Sequence, residues 1–327
     1  MGTTVAPEKV LKELSELWVS HGEADAGVLR ACSITLVVMA EGSDDASALG
    51  ETLAALMPEH PARAIVIRLS GAGPRALTER VQQQCWKPFG LGKQICCDQI
   101  EITASDEALA DLPSVLLPLA VPDLPVIVWC RSPRLVKLPE FSDIARMATK
   151  VVVDSSAFPN AADAIRWIAG AALSGQTVGD LSWTRLTRWR EMLSHVFDNR
   201  EYLAKLGGVG SVRVGFQPPF EVCAWLMGAW ICDALLDGGV TLRPAVQESA
   251  GADSTMQVEL QAPDLKVEMN REDERLVIRV NELVSCTNLP QPTDYLLMRE
   301  ELGIVQKDTV FERALASAAR LTYPTDK

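Results

Sequence analysis

The chain has 327 residues, 48% of them hydrophobic and 23% charged, with a formal net charge of −12. A length of this order suggests two domains of about 150 residues each, with enough interior to fold without disulfides or a structural metal. The acidity argues against general nucleic-acid binding and against adhesion to an anionic membrane, both of which need an excess of Lys and Arg, and it would steer a basic protein surface toward this one.

Residues 7–19 set Val10, Leu11, Leu14, Leu17 and Trp18 at helical spacing, which predicts a first helix. The same stretch carries Glu8, Glu13 and Glu16 and lacks the apolar core of a signal peptide. A polar connector over 21–26 follows. Strands and helices then alternate: strand 33–39, helix 46–56 stopped by Pro58, strand 64–69, helix 74–84 with Pro74 in its first turn, a loop over 87–93, and strand 94–103, whose alternation suits an edge or one-faced position. A partly helical connection over 109–119 leads to a buried strand at 126–129, a helix at 140–149, a strand at 150–153 and a helix at 160–173. Continuous apolar strands between helices predict a layered α/β domain with a largely parallel sheet.

The pattern changes after Gly179. One long helix is predicted from 182 to 206, with Ser182 as its cap and Gly207-Gly208 as its stop. A strongly apolar helix over 219–236 comes next. Three alternating runs, 256–261, 265–270 and 276–281, are joined by Pro263-Asp264 and Glu272-Asp273 and read as an antiparallel meander. A last helix, 294–321, breaks near Gly303. The expected organisation is an N-terminal α/β domain over 1–180 and a C-terminal α+β domain over 181–327.

Two apolar stretches do not read as membrane spans. Residues 112–130 contain Pro113, Pro118, Pro122, Asp123 and Pro125, and 222–236 falls short of the ~20 residues a span needs. Eight cysteines in a chain read as unsecreted imply a reducing, cytoplasmic compartment and serve mostly as small buried residues. The adjacent pair Cys96-Cys97 is the exception and the candidate for redox chemistry. His21, His60 and His195 are far apart, and no C-x-x-C, H-E-x-x-H, Walker loop or G-x-S-x-G elbow occurs, so no metal site and no catalytic residue is expected.

The most enzyme-like motif is Gly71-Ala72-Gly73-Pro74-Arg75-Ala76. It follows a predicted strand and opens a predicted helix, as a dinucleotide fingerprint does, with backbone N–H groups free for a pyrophosphate. It follows the second strand rather than the first, and no acidic residue ends the next strand. It therefore reads either as a nucleotide site or as a Gly-rich turn. The loop 87–93 offers Lys87, Phe89 and Lys93 as a docking or anion-binding loop, or as a plain surface connection.

The stretch Asp180-Leu-Ser-Trp-Thr-Arg-Leu-Thr-Arg-Trp-Arg-Glu-Met192 places two tryptophans and three arginines in one window, the residue types that dominate binding interfaces. On a helix, Leu186, Trp189 and Leu193 form the apolar face. Trp183 sits near the start, half exposed. Arg185 and Arg188 either pair with Asp180 or Glu191 at the surface, or grip a partner carboxylate or phosphate with paired bonds.

Taken together, the chain resembles the OpcA, glucose-6-phosphate dehydrogenase assembly protein family. The resemblance runs from the first helix to Asp198. It rests on Arg30-Ala31-Cys32, Pro61-Ala62-Arg63-Ala64-Ile65, Cys97-Asp98-Gln99-Ile100 and Leu116-Leu117-Pro118-Leu119. It continues through Asp123-Leu124-Pro125-Val126 leading to Trp129, Val153-Asp154-Ser155, Asp180-Leu181-Ser182-Trp183, Arg185-Leu186, Trp189-Arg190-Glu191 and Phe197-Asp198. The resemblance implies a non-catalytic, cofactor-free protein that binds glucose-6-phosphate dehydrogenase. Such a protein promotes that enzyme's assembly or activates it allosterically in the oxidative pentose phosphate pathway. In photosynthetic members of the family activation is linked to thiol redox state. Trp183, Arg185, Arg188, Lys87, Phe89 and Lys93 are the expected partner contacts, and Cys96 and Cys97 the residues to watch for redox chemistry. The alternative is a nucleotide-binding enzyme or sensor using Gly71–Ala76.

Overall fold

The computed structural model describes residues 5–24, 28–86, 94–249 and 256–322. In chain order the elements are α1 (Pro7–Ala24), β1 (Val28–Arg30), β2 (Ile34–Glu41), α2 (Ala46–Leu56), β3 (Ala62–Leu69), β4 (Leu77–Trp86), β5 (Gln94–Ala104), α3 (Leu112–Leu119), β6 (Val126–Cys130), α4 (Pro139–Met147), β7 (Lys150–Val153), α5 (Ala161–Leu173) and β8 (Val178–Asp180). The second half contributes α6 (Leu181–Thr184), α7 (Thr187–Val196), α8 (Arg200–Leu203), β9 (Ser211–Phe216), α9 (Glu221–Asp237), β10 (Ala245–Glu248), β11 (Met256–Ala262), β12 (Leu265–Glu272), β13 (Arg275–Val280), β14 (Leu283–Asn288), α10 (Asp294–Gly303) and α11 (Thr309–Thr322).

The chain divides into two compact units. One comprises residues 1–153, 176–179 and 294–306; the other comprises 154–175, 180–293 and 307–327. The first holds most of an eight-stranded sheet in the order β1-β5-β3-β2-β6-β7-β8, with β4 pairing β5. Pairing is parallel from β1 through β7, and β4 alone among the registered pairs runs antiparallel. Its central strands are buried almost from end to end, as a parallel sheet covered on both faces requires: seven of the eight residues of β2, and all four of β7 including Lys150, are buried. The second unit holds a six-stranded sheet, β10-β9-β11-β12-β13-β14. Only β10–β9 is parallel; the rest is an antiparallel meander. Here burial alternates, as in β11, because one face of the sheet is covered, by α9 at β9 and β10 and by α7 at β13, while the other stays polar. Helix α9 is apolar around most of its circumference and packs against α5, α11 and β9.

The α/β fold with a following antiparallel meander is therefore as the sequence predicts, with local differences. Residues 74–84 do not form a helix. Leu77 to Trp86 pairs residue by residue with Ala104 to Ile95 of β5, so a ten-residue antiparallel ladder overrides the helical preference of Glu79, Arg80 and the glutamines. For the same reason β5 is an interior strand, and β4 takes the edge. The first helix runs into the expected connector, as far as Ala24. The long helix expected over 182–206 is three pieces. Asp180, not Ser182, caps α6 by accepting the Ser182 N–H, and Asn199 caps α8 by accepting that of Glu201. Each short polar cap offers the backbone a way out of a continuous helix.

Candidate functional site

In an open α/β sheet, ligands bind beyond the carboxyl ends of the strands where the strand order reverses. Here that point lies between β2 and β6. The turn leaving β2 is Glu41-Gly42-Ser43-Asp44-Asp45. Gly42 is required by close packing: its N–H donates to the Leu69 carbonyl at 2.7 Å, and a Cβ would stand 2.7 Å from that oxygen. The start of α2, where a pyrophosphate would sit, is already filled. The Asp45 carboxylate accepts the N–H groups of Ser47 at 2.8 Å and Ala48 at 3.2 Å. The facing turn after β6 supplies Arg131, Ser132 and Arg134. Arg134 grips both oxygens of Glu41, at 3.1 and 2.9 Å, and also reaches Asp106 at 3.1 Å. The bound Arg134 guanidinium holds the Glu41 carboxyl below its ordinary range. Arg131 lies 4.7 Å over the Trp129 ring and pairs with Asp44 and Asp294. The crevice is thus a lattice of mutually paired acids and bases. An anionic cofactor would face Asp44 and Asp45 and would have to displace a carboxylate from the helix start.

The Gly71–Ala76 stretch fails the structural condition for a nucleotide loop. It follows β3 but leads into strand β4, not into a helix, so no row of free helix N–H groups stands behind it. Gly71, at φ +83°, makes a turn, and Ser105 Oγ accepts the Ala76 N–H at 3.0 Å.

The tryptophan–arginine window lies in the second unit and mostly faces inward. Leu186, Trp189 and Leu193 are buried, as the helical spacing predicts. Trp183, expected half exposed, is also buried. Its Nε1 donates to Asp308 at 2.9 Å, its ring lies 5.5 Å from that of Phe311, and the Arg190 guanidinium stacks 3.7 Å above it. Arg185 forms paired bonds to the two oxygens of Asp154, at 2.8 and 2.6 Å, rather than facing solvent. Burial works against the Asp154 charge, and the paired guanidinium outweighs it, holding the carboxyl below its ordinary range. Beside this pair, the fully buried Asp180 accepts the N–H groups of Ser155 and Ser182 and the Ser155 hydroxyl. Burial dominates there and pushes its carboxyl up to about 7. Arg188 stands apart, with a side chain 66% exposed and, among the described residues, only Glu191, one turn on, as partner at 2.9 Å.

Lys87, Phe89 and Lys93 lie outside the described residues. Cys96 faces Cys85 across the β4–β5 ladder and is joined to it by a disulfide, and Cys97 is a buried thiol that donates to the Ala31 carbonyl. Burial raises the Cys97 thiol to about 11, so it holds little thiolate near neutral pH. The expectation of buried free thiols holds for Cys97, Cys130, Cys223 and Cys232, but Cys85 and Cys96 are bonded and Cys286 is exposed.

The sequence reading missed a surface beside Arg188. A groove of about 410 Å³ lies between α7 and the β13–β14 hairpin, lined by Arg188, Glu191, His195, Tyr202, Ile278 and Leu283 among others. The signal that could have revealed it is the two-residue turn Asn281-Glu282, with Asn281 at φ +53°, followed by Leu-Val-Ser-Cys-Thr-Asn, a β-prone run.

Two family models match this chain. Residues 54–169 match the glucose-6-phosphate dehydrogenase subunit N-terminal domain, and 176–315 match the C-terminal domain of the same family. The chain belongs to this family, the OpcA family. The OxPP cycle protein OpcA of Synechocystis is 24% identical over 194 residues, which is 58% of this chain and 40% of that protein. The OpcA of Synechococcus elongatus is 23% identical over 180 residues, 54% of this chain and 40% of its own length. The matched region thus spans less than half the length of these curated relatives. Among solved structures, the 3-ketoreductase KijD10 of Actinomadura kijaniata is 13% identical over 88% of this chain and 96% of its own, with a TM-score of 0.49. At that level neither fold nor activity carries over. Among the described residues, no helix is long and apolar enough to cross a membrane.

Proposed function

We propose that this chain is a non-catalytic, cytoplasmic partner of glucose-6-phosphate dehydrogenase that promotes the enzyme's assembly or activates it, and so supports the oxidative pentose phosphate pathway. The observation that carries this reading is the match of both halves of the chain to the two models of one dehydrogenase-subunit family. The crevice adds support, because the turn that would cradle a nucleotide is acidic and its helix start is capped by Asp45. An activator works only by binding the active form of its target better than the inactive form. Within the tryptophan–arginine window, Arg188 is the residue whose exposure suits such contact. Trp183 and Arg185 serve by holding α6 and α7 in place. The test is to add the chain to its cognate dehydrogenase and measure rate and oligomeric state. A rise in either is expected; no change in both overturns the reading. In parallel, NADP, NAD and ATP are expected to leave the melting temperature of the chain alone unchanged. A clear shift with any of them would restore the nucleotide-binding alternative.

A further inference from the structure

The six residues of β14, Leu283 to Asn288, are all exposed, and Leu283 and Val284 are 64% and 61% exposed. The strand pairs on one side with β13, from Val280–Leu283 at the turn to Arg275–Asn288 at the far end. In a two-residue hairpin the pair flanking the turn is hydrogen-bonded, and bonded pairs then alternate along the ladder. Leu283, Ser285 and Thr287 therefore bond inward. The N–H and C=O groups of Val284, Cys286 and Asn288 point outward, and none has a partner among the described residues. Edge strands in soluble proteins are normally protected by a charge, a proline or a bulge. This one has none of these: from Leu283 to Thr293 the chain carries no charged residue, and its first proline is Pro290.

We infer that β14 pairs antiparallel with β14 of a second copy of this chain, about a twofold axis at Cys286. Charge permits this occupant. At a net charge of −12, two copies repel each other over most of their surface, so a self-contact needs a neutral strip, and β14 provides one. Symmetry supports it as well. In this register Val284 bonds Asn288 of the second copy, Cys286 bonds its own equivalent, and Leu283 lies opposite Leu289 of the second copy. The outward row thus satisfies itself, Leu283 meets Leu289, and no like charges are opposed along the strand. Such an edge-to-edge contact is isologous and closes at two copies, whereas pairing β14 with any other edge would leave an open-ended chain.

Light scattering on the purified chain over a range of concentrations tests this. A dimer is expected, strengthened by added salt as the net repulsion is screened. Val284→Lys places a charge on the exposed strand without touching the inward bonds. It should halve the measured mass and leave the circular-dichroism spectrum of the folded chain unchanged. A bis-maleimide should join two copies through Cys286, and Cys286→Ser should abolish the linkage. A chain that is monomeric at every concentration, or a dimer indifferent to Val284→Lys, overturns the inference. So does a β14 whose amides become protected from exchange only when glucose-6-phosphate dehydrogenase is added. None of these results depends on whether the dehydrogenase is activated.

Discussion

The carboxyl-end crevice of the eight-stranded sheet and the α7–β14 surface of the second unit use charge in opposite ways. In the crevice Glu41, Asp106 and Arg134 satisfy one another, as do Asp44, Asp294 and Arg131. What would be a ligand site in another protein of this layered type is occupied by the chain's own side chains. Along β14 there is no charge at all, and beside it Arg188, among the described residues, answers only to Glu191 within its own helix. Charges that are internally paired hold a fold together and offer little to a visitor, because any new partner must displace an existing one. An unpaired backbone row and a loosely held guanidinium offer bonds that cost little to make.

The contrast is tested hardest inside the first unit, at Lys150 of β7. This lysine is buried, pairs with Glu301 at 2.5 Å, and donates to the Glu301 and Ile304 carbonyls. Lys150→Met leaves Glu301 charged and buried, which costs about 3–5 kcal/mol. Adding Glu301→Leu removes the stranded charge and should recover much of that loss. Urea denaturation monitored by fluorescence measures both. If Lys150→Met were as stable as wild type, inward-facing charge would not be holding this region.

The second unit has its own inward pair, and a smaller effect is expected there because Arg185 and Asp154 are each about one fifth exposed. Arg185→Met removes two charge-assisted bonds and should cost about 1.5–3 kcal/mol. The same denaturation measurement checks it. A change below about 0.5 kcal/mol, the scale of an ordinary surface substitution, would return Arg185 to the set of free contact residues.

Asp180 sharpens the contrast through pH. Its folded carboxyl is raised to about 7, against about 3.9 when unfolded. Between those values the folded state holds a proton that the unfolded state has released. Stability therefore rises as pH falls from about 8 toward about 4, with a slope approaching 1.4 kcal/mol per unit at about pH 5–6. Asp154 and Glu41, whose carboxyls are lowered, act in the other direction but only below the ordinary carboxylate range. In Asp180→Asn the carboxamide oxygen can accept the Ser155 and Ser182 N–H groups while its NH₂ meets the Ser155 hydroxyl, so the fold should survive. The difference between wild type and this variant across pH isolates the effect. A flat difference would mean that Asp180 stays ionised.

Much of this was legible in the sequence where a local pattern and its tertiary setting agree. The apolar runs of β2, β6 and β7, the helix at 160–173 and the break at Gly303 all state locally what the fold needs. The failures lie where long-range pairing decides. Residues 77–86 are rich in helix formers and become a strand because β5 lies alongside them. The inward turn of Trp183 depends on Asp308 and Phe311, more than a hundred residues away. No helical-wheel argument contains those partners. The outward face of Arg188 was legible, since it sits opposite Leu186, Trp189 and Leu193. Strand β14 was missed because a run exposed on both faces lacks the alternation that marks a half-buried strand.

The smallest expected change in stability belongs to Arg188, and it carries the most information about contact. Its ion pair with Glu191 is exposed and spaced i,i+3, a geometry worth a few tenths of a kcal/mol at most. Arg188→Glu should therefore shift stability by less than about 0.5 kcal/mol. If α7 touches the dehydrogenase, the same substitution reverses the sign of a contact residue and should weaken co-purification, with an effect that shrinks at high salt as the repulsion is screened. Arg185→Met, made in parallel, should show the converse: lower stability, and binding that returns once folded protein is compared at equal concentration. Equal loss of binding in both variants at equal folded concentration would place the contact across the whole window. No loss in Arg188→Glu would move the contact off this face of α7.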